Sequence, residues 1–180
     1  MTEAGSVYGQ AIYDLAASEA LGKTILDQLQ ILDHCFSVEE PGFLKLLGTP
    51  SLSKQERCQI LDDSLRGKVH PYVLNFLKIL TEKGYIRHFS QCVEAYRERY
   101  YQDNDILLVK AVTAVPLTMD QLKRLTRKLI GLTGKTIELR NHVDPTVIGG
   151  IRLDYDGKRL DDTVSHRLEA VRTMLKNTVL

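Results

Sequence analysis

The sequence is poor in cysteine and has no long apolar run, and each shortage argues against a class of protein. Its three cysteines, Cys35, Cys58 and Cys92, are odd in number and widely spaced within apolar helical patterns. Such cysteines are typical of reduced thiols in a core, not of a disulfide framework, a metal site or a redox site. No apolar run approaches the ~20 residues that span a bilayer, and the first residues carry neither a basic start nor an apolar signal core. We therefore expect a cytosolic chain without direct membrane insertion, which reaches a membrane only through a partner.

Net charge is nearly absent as well. The formal net charge of the 180 residues is +1, which gives no reason to expect nucleic acid as a partner. The charge is unevenly distributed, because residues 1–104 carry a net charge of −3 and residues 105–180 a net charge of +4. Two modules with different partners would produce this asymmetry, and ordinary variation would produce it equally well.

The sequence also lacks a group of residues that would carry out catalysis. The segment from Gly131 to Thr136 resembles a phosphate-binding loop, but Leu129 stands where that loop needs its first glycine. The five histidines have no spacing that suits zinc. No aromatic residues interleave with the basic cluster of residues 123–128, so a solvated or acidic-protein-binding face is the better interpretation than a nucleic-acid site. We expect a protein that is not an enzyme and that holds no cofactor and no metal.

Helical periodicity dominates the first hundred residues. Apolar residues recur at helical spacing over residues 4–20, 23–38, 43–47, 53–66, 71–83 and 86–102. Start and stop signals divide these segments: Ser51 or Ser53 can cap the fourth helix, with Glu56 completing a capping box, Pro71 opens the fifth and Gly84 ends it. Six short helices joined by short turns predict an α-helical bundle over residues 1–104.

The pattern changes at residue 106. Residues 106–115 are rich in β-branched residues and predict a strand, Thr118 caps a helix lined by Leu122, Leu125, Leu129 and Leu132, and residues 135–142 predict a second strand. Residues 151–155 alternate in polarity before Asp156-Gly157, a hairpin turn that leads into a return strand. Asp161 or Asp162 can cap a final amphipathic helix. The sequence predicts an α+β protein, in which a small α+β module of residues 105–180 has so little core that we expect a partner to support it.

Several of these segments together resemble the δ subunit of F-type ATP synthases, called OSCP in mitochondria. The resemblance lies above all in the order of turn, Gly149-Gly150, strand, hairpin, acidic cap and final helix, and it extends to other segments along the chain. These are Tyr8, Ala11 and 14–16 in the first helix, then 47–52, 75–80 with Gly84, 114–117, 133–135 and 143–151. The chain departs from the family's pattern at Tyr85, where arginine is usual, and at Asp162-Thr163.

The resemblance implies a non-catalytic stator subunit that joins the F1 catalytic head to the peripheral stalk at the cytoplasmic face of the cell membrane. In the family, a groove between the first and fifth helices accepts the N-terminal helix of an F1 α subunit. The candidate groove residues are Tyr8, Ala11, Ile12, Leu15, Val73, Leu74, Leu77 and Ile79. The module of residues 105–180 would bind the stalk's b subunits, with Arg172, Met174, Leu175, Lys176, Val179 and Leu180 as candidates. The residues alone leave a second reading open, a free-standing helical adaptor or regulator that binds nucleic acid or protein.

Overall fold

Apolar stripes at helical spacing fold the first part of the chain into helices that share one core. The computed structural model describes residues 3–49, 51–164 and 166, and the chain divides into two units, Met1–Gln102 and Asp103–Leu180. The α-helices are α1 (Glu3–Ser18), α2 (Gly22–His34), α3 (Pro41–Leu47), α4 (Lys54–Leu65), α5 (Pro71–Lys83) and α6 (Phe89–Asp103). Two short segments of another helix type lie at the end of the second predicted helix and at the start of the sixth, a π-helical segment (Cys35–Glu39) and a 3-10 turn (Ile86–His88). The predicted α+β class is confirmed, although the first part of the chain has more helical segments than the six predicted.

Local capping signals set the helix boundaries as the sequence predicts. The Ser53 hydroxyl accepts a hydrogen bond from the Glu56 amide at 3.2 Å, and the Glu56 carboxylate accepts one from the Ser53 amide at 2.7 Å. This reciprocal pair satisfies two amides that the first turn of α4 would otherwise leave without partners. Pro71 is the first residue of α5, and Gly84 ends this helix with a left-handed φ of 79°. Both helices therefore begin where the sequence predicted.

The second predicted helix is not continuous. It was expected to run over residues 23–38, but α2 ends at His34 and the π-helical segment follows, closed by a hydrogen bond from the Glu40 amide to the Cys35 carbonyl at 2.8 Å. Phe36 lies within this wider turn and is buried, with its ring centroid 5.1 Å from that of Phe43 and 5.6 Å from that of Phe89. Packing of Phe36 against two distant rings accounts for a change of helix type that local propensity does not indicate.

The second unit is a four-stranded sheet with one helix described. Its elements are β1 (Ile106–Thr113), α7 (Met119–Thr133), β2 (Thr136–Val143), β3 (Ile151–Tyr155) and β4 (Lys158–Asp161). The strand order is β2-β1-β3-β4, in which β1 runs parallel to β2 and antiparallel to β3. Val109, Ala111 and Val112 are fully buried in β1, the strand that contacts both neighbours. A parallel pair needs a crossover, and α7 supplies it.

Turns in this unit match the sequence in two places and differ in two. Thr118 caps α7 through a capping box, and the two-residue Asp156-Gly157 turn has the positive φ values, 46° and 68°, of a type I′ hairpin. Leu132, expected on the apolar stripe of α7, is instead 83% exposed, in the last turn of the helix before Gly134, whose φ is 69°. The cap expected at Asp161 or Asp162 is instead the hydroxyl of Thr163, which accepts a hydrogen bond from the His166 amide at 3.2 Å.

Candidate functional site

A groove lies between α1 and α5 on the surface of the first unit. Its volume is about 450 Å³, and each of the two helices contributes four lining residues. They are Tyr8, Ala11, Ile12 and Leu15 from α1, and Tyr72, Asn75, Phe76 and Ile79 from α5. Both sets have the spacing i, i+3, i+4, i+7, which places four side chains on one stripe of a helix. Two parallel stripes of this kind make a trough whose walls are helix faces.

The groove is apolar and partly open to solvent. Ile12 and Phe76 are buried at 5% and 6% exposure and form its floor, whereas Leu15 and Ile79 are 44% and 45% exposed. Among the described residues, no charged side chain lines it, and Asn75 is the single amide. Apolar side chains left half-exposed side by side are characteristic of a surface that another molecule covers.

Close packing against α6 positions the α1 wall of the groove. Gly9 is buried in α1, and a Cβ atom at this position would lie only 2.8 Å from the Ala95 Cβ and even closer to the Cys92 carbonyl oxygen. Only glycine allows α1 to approach the backbone of α6 this closely. Behind this contact, the ring of Tyr13 packs edge-on against that of Tyr96 at 5.3 Å.

Hydrogen bonds fix the start of the α5 wall. The Tyr72 amide donates to the Nδ1 atom of His70 at 3.3 Å, and the His70 amide donates to the Gln28 side chain of α2 at 2.7 Å. The rings of His70 and Tyr72 meet edge-on at 4.9 Å. His70, itself bonded to α2, therefore contacts both the backbone and the ring of Tyr72, the first groove residue of α5.

An ion pair between Lys78 and Asp62 attaches α5 to α4. The Lys78 Nζ atom lies 2.6 Å from the Asp62 carboxylate, and Arg66 lies 3.0 Å from the same carboxylate. The hydrogen bond from Lys78, reinforced by Arg66, lowers the pKa of Asp62 below its ordinary value. Lys78 directly precedes the groove residue Ile79, so this ion pair holds α5 against α4 beside the groove.

The structure brings five of the eight predicted groove residues together. Tyr8, Ala11, Ile12, Leu15 and Ile79 line the groove. The other three, Val73, Leu74 and Leu77, lie in the core of the first unit with exposures of 0%, 8% and 0%, and they do not line it.

Three lining residues were missed by the sequence analysis. They are Tyr72, Asn75 and Phe76. The available signal was the spacing of Tyr72, Asn75, Phe76 and Ile79, which repeats that of the stripe from Tyr8 to Leu15. Selection of the most apolar residues of α5 favoured its core face instead.

The predicted stalk-binding residues lie outside the described residues. They are Arg172, Met174, Leu175, Lys176, Val179 and Leu180, and the structure places none of them.

Within the described part of the chain, no three histidine, cysteine, aspartate or glutamate side chains come together as a metal site would require. The same residues contain no helix that is both long enough and apolar enough to cross a bilayer. Burial raises the pKa of the Cys92 thiol to about 11, so this thiol stays protonated near neutral pH. The groove itself offers a ligand mainly apolar contact.

Comparison with known proteins relates nearly the whole chain to a single protein family. The sequence model of the ATP synthase delta (OSCP) subunit family matches residues 5–175. ATP synthase subunit delta of Alkaliphilus oremlandii is 31% identical over 173 residues, which are 96% of this chain and 96% of that protein. The chloroplastic subunit delta of Ochrosphaera neapolitana is 27% identical over 169 residues, 93% of this chain and 94% of that protein.

A solved structure shows the same fold. A chain in the cryo-EM structure of the Toxoplasma gondii mitochondrial ATP synthase hexamer superposes with a TM-score of 0.73 at 17% identity, over 97% of this chain and 98% of that chain. Family model, relatives and fold agree over nearly the whole length, and the chain therefore belongs to the ATP synthase delta (OSCP) subunit family.

Proposed function

We propose that the groove between α1 and α5 holds an amphipathic helix from the N-terminus of an F1 α subunit, and that the second unit holds the b subunits of the peripheral stalk. As a delta (OSCP) subunit, the chain is a non-catalytic, peripheral component of the F1Fo ATP synthase that links F1 to the stalk. Its partners are other subunits of the synthase. The complex would place it at the cytoplasmic face of the cell membrane, with no catalytic residues of its own.

The groove carries the first half of this proposal. An amphipathic helix offers one apolar stripe, and a trough between two helices, with apolar side chains at i, i+3, i+4 and i+7 on each wall, accepts such a stripe. The absence of charge among the lining residues matches the apolar face of a helix and not its polar face. Side chains that are already half-buried, such as Leu15 and Ile79, lose little freedom on binding.

Rotary catalysis explains why the contact with F1 should be rigid and slow to dissociate. The catalytic head must be held still against the torque of the rotor, so a link between head and stalk must be rigid and slow to dissociate. Apolar burial in a preformed groove supplies affinity mainly through a slow dissociation rate. The tight contacts of α1 at Gly9 and of α5 at Lys78 keep the two walls in place before the partner arrives.

Replacement of an exposed lining residue by a charge tests the groove. Full burial of a leucine is worth about 1.5–3 kcal/mol, and Leu15 is already more than half covered, so the partner adds about 1 kcal/mol at this side chain. In the variant Leu15→Asp this gain is lost, and an unpaired carboxylate must be desolvated at a cost of several kcal/mol. We expect the affinity for the N-terminal α-subunit peptide, measured by calorimetry on the full chain, to fall at least about a hundredfold.

The matched control is Ile31→Asp. Ile31 is also an exposed apolar residue on a helix of the first unit, at 68% exposure, and it does not line the groove. This variant should bind the peptide as the unmodified chain does, and circular dichroism should show the same helicity for both variants. Equal affinity of the Leu15 and Ile31 variants for the peptide would refute the proposed site.

A further inference from the structure

A second groove lies in the other unit, between α7 and strand β2. Its volume is about 450 Å³. Met119, Leu122, Lys123, Thr126 and Arg127 of α7 line it together with Leu139 of β2. The helix residues have the spacing i, i+3, i+4, i+7, i+8, which defines one flank of α7 along the sheet edge.

The flank carries apolar side chains at its start and at its end. Met119 at its start is 70% exposed, Leu122 is half-buried, and Ile130, which continues the same spacing at i+11, is 43% exposed. A stripe of twelve residues at 1.5 Å per residue is about 17 Å long, which is three turns of a facing helix. Large apolar side chains left open along this length make a surface that another chain can cover.

The lip of this groove is positively charged and is not neutralised within the described residues. Lys123 and Arg127 form the lip, and Arg124 and Lys128 follow on the outer face of α7. Among residues 3–49, 51–164 and 166, no carboxylate lies within ion-pair distance of these four side chains, and Asp120 is the single acidic residue of the helix. A partner with carboxylates beside an apolar stripe would complement this surface in both respects.

A strand from a partner is a less suitable ligand than a helix at this edge of the sheet. Strand β2 lies at the edge of the sheet, and its Glu138 and Arg140 side chains form an exposed ion pair at 2.7 Å. Charged side chains on an edge strand oppose the addition of another strand. The flank of α7, by contrast, has the spacing and the length that a helix needs.

We propose that the groove between α7 and β2 docks an acidic amphipathic helix of the peripheral stalk. The inference rests on the proposed function, in which the second unit holds the stalk, and it adds the location and the chemistry of the contact. The apolar residues Met119, Leu122 and Leu139 receive the partner's apolar stripe, and Lys123 and Arg127 pair with its carboxylates. The contact lies entirely within the described residues and is independent of the six stalk-binding candidates predicted from residues 172–180.

A pair of charge reversals on one helix tests the inference. The probe is the soluble part of the stalk b subunit from the same enzyme, and its affinity for the full chain is measured at low and at moderate salt. The double variant Lys123→Glu/Arg127→Glu should bind at least about tenfold more weakly than the unmodified chain, because two attractive charges become repulsive. Its affinity should also depend less steeply on salt than that of the unmodified chain.

The control is Arg124→Glu/Lys128→Glu, which makes the same change of net charge on the same helix but outside the groove. It should lower the affinity less than about threefold, since only long-range attraction is altered. Binding of the N-terminal α-subunit peptide should be unchanged in both double variants, which verifies that the first unit is intact.

Each other result overturns the inference in a recognisable way. Equal losses in the two double variants would mean that only overall charge matters. If Lys123→Glu/Arg127→Glu binds the stalk with full affinity, the groove is not the stalk contact, although the second unit can still bind the stalk elsewhere. If that variant is also less stable than the unmodified chain, the groove is covered by the chain's own residues. Self-association of the unmodified chain that this variant abolishes would assign the groove to a second copy. An unmodified chain that binds the α-subunit peptide but not the stalk would overturn the proposed function of the second unit as well.

Discussion

Substitution of Gly9 by alanine should loosen α1, one wall of the groove proposed for the α subunit. The added Cβ would lie 2.8 Å from the Ala95 Cβ, whereas carbon atoms in contact are about 3.5–4.0 Å apart, so α1 and α6 must separate by about 1 Å. The nearest obstacle is the Cys92 carbonyl, which belongs to a helix backbone and cannot rotate away. Overpacking of this kind destabilises by about 1–3 kcal/mol, and the better helix propensity of alanine returns at most about 1 kcal/mol. We expect a net loss of about 1–2 kcal/mol.

Urea unfolding followed by tyrosine fluorescence measures this loss in the first unit. Seven of the eight tyrosines lie in Met1–Gln102, and the chain has no tryptophan, so the signal reports mainly on that unit. The control is Gly42→Ala in α3, where an added Cβ would have no neighbour within 4 Å. This control should be unchanged or slightly more stable than the unmodified chain. The close packing of α1 on α6 at Gly9 would be contradicted by a Gly9→Ala variant as stable as the unmodified chain, or by an equal loss of stability in Gly42→Ala.

Two further predictions follow from the titration of buried or paired groups. Because Lys78 lowers the pKa of Asp62, this carboxylate stabilises the fold above its ordinary pKa of 3.8 and loses that effect as the pH falls through the lowered value. Asp62→Asn should therefore unfold more easily than the unmodified chain at pH 7, and the difference should shrink as the pH falls below 3.8; a difference that stays constant from pH 7 into acid would contradict this. Because burial raises the pKa of Cys92 to about 11, iodoacetamide at pH 8 should leave Cys92 unlabelled in the folded chain and label it in urea, as peptide mapping by mass spectrometry would show. Rapid labelling of the folded chain at Cys92 would contradict the burial of this thiol.

Elements whose signals lie within a few residues were predicted correctly. The capping boxes at Ser53 and Thr118 need only a side chain three positions away, and the Asp156-Gly157 turn needs only two residues that tolerate positive φ. The final cap was displaced by one or two residues, because three possible capping side chains stand side by side and only the fold selects Thr163.

Elements that depend on distant contacts were not predicted. The π-helical segment at Cys35–Glu39 accompanies the packing of Phe36 on rings 7 and 53 residues away in the sequence, which no local pattern indicates. The α5 wall of the groove was likewise not predictable from a local pattern. The groove stripe of α1 was found, but α5 is apolar on more than one side, and only the packed structure tells its core face from its groove face. Asn75 was missed because a search for apolar residues passes over an amide.

If this chain links F1 to the stalk through two separate surfaces, loss of one surface must uncouple proton pumping from ATP hydrolysis. Membrane vesicles stripped of F1 and of this subunit are reconstituted with F1 and one form of the chain, and ATP-driven proton uptake is measured beside ATP hydrolysis in solution. The unmodified chain and Ile31→Asp should restore proton uptake. Leu15→Asp, which blocks the groove between α1 and α5, should leave hydrolysis by F1 intact and fail to restore uptake. Full proton uptake with Leu15→Asp would contradict a role for this groove in the link between F1 and the stalk.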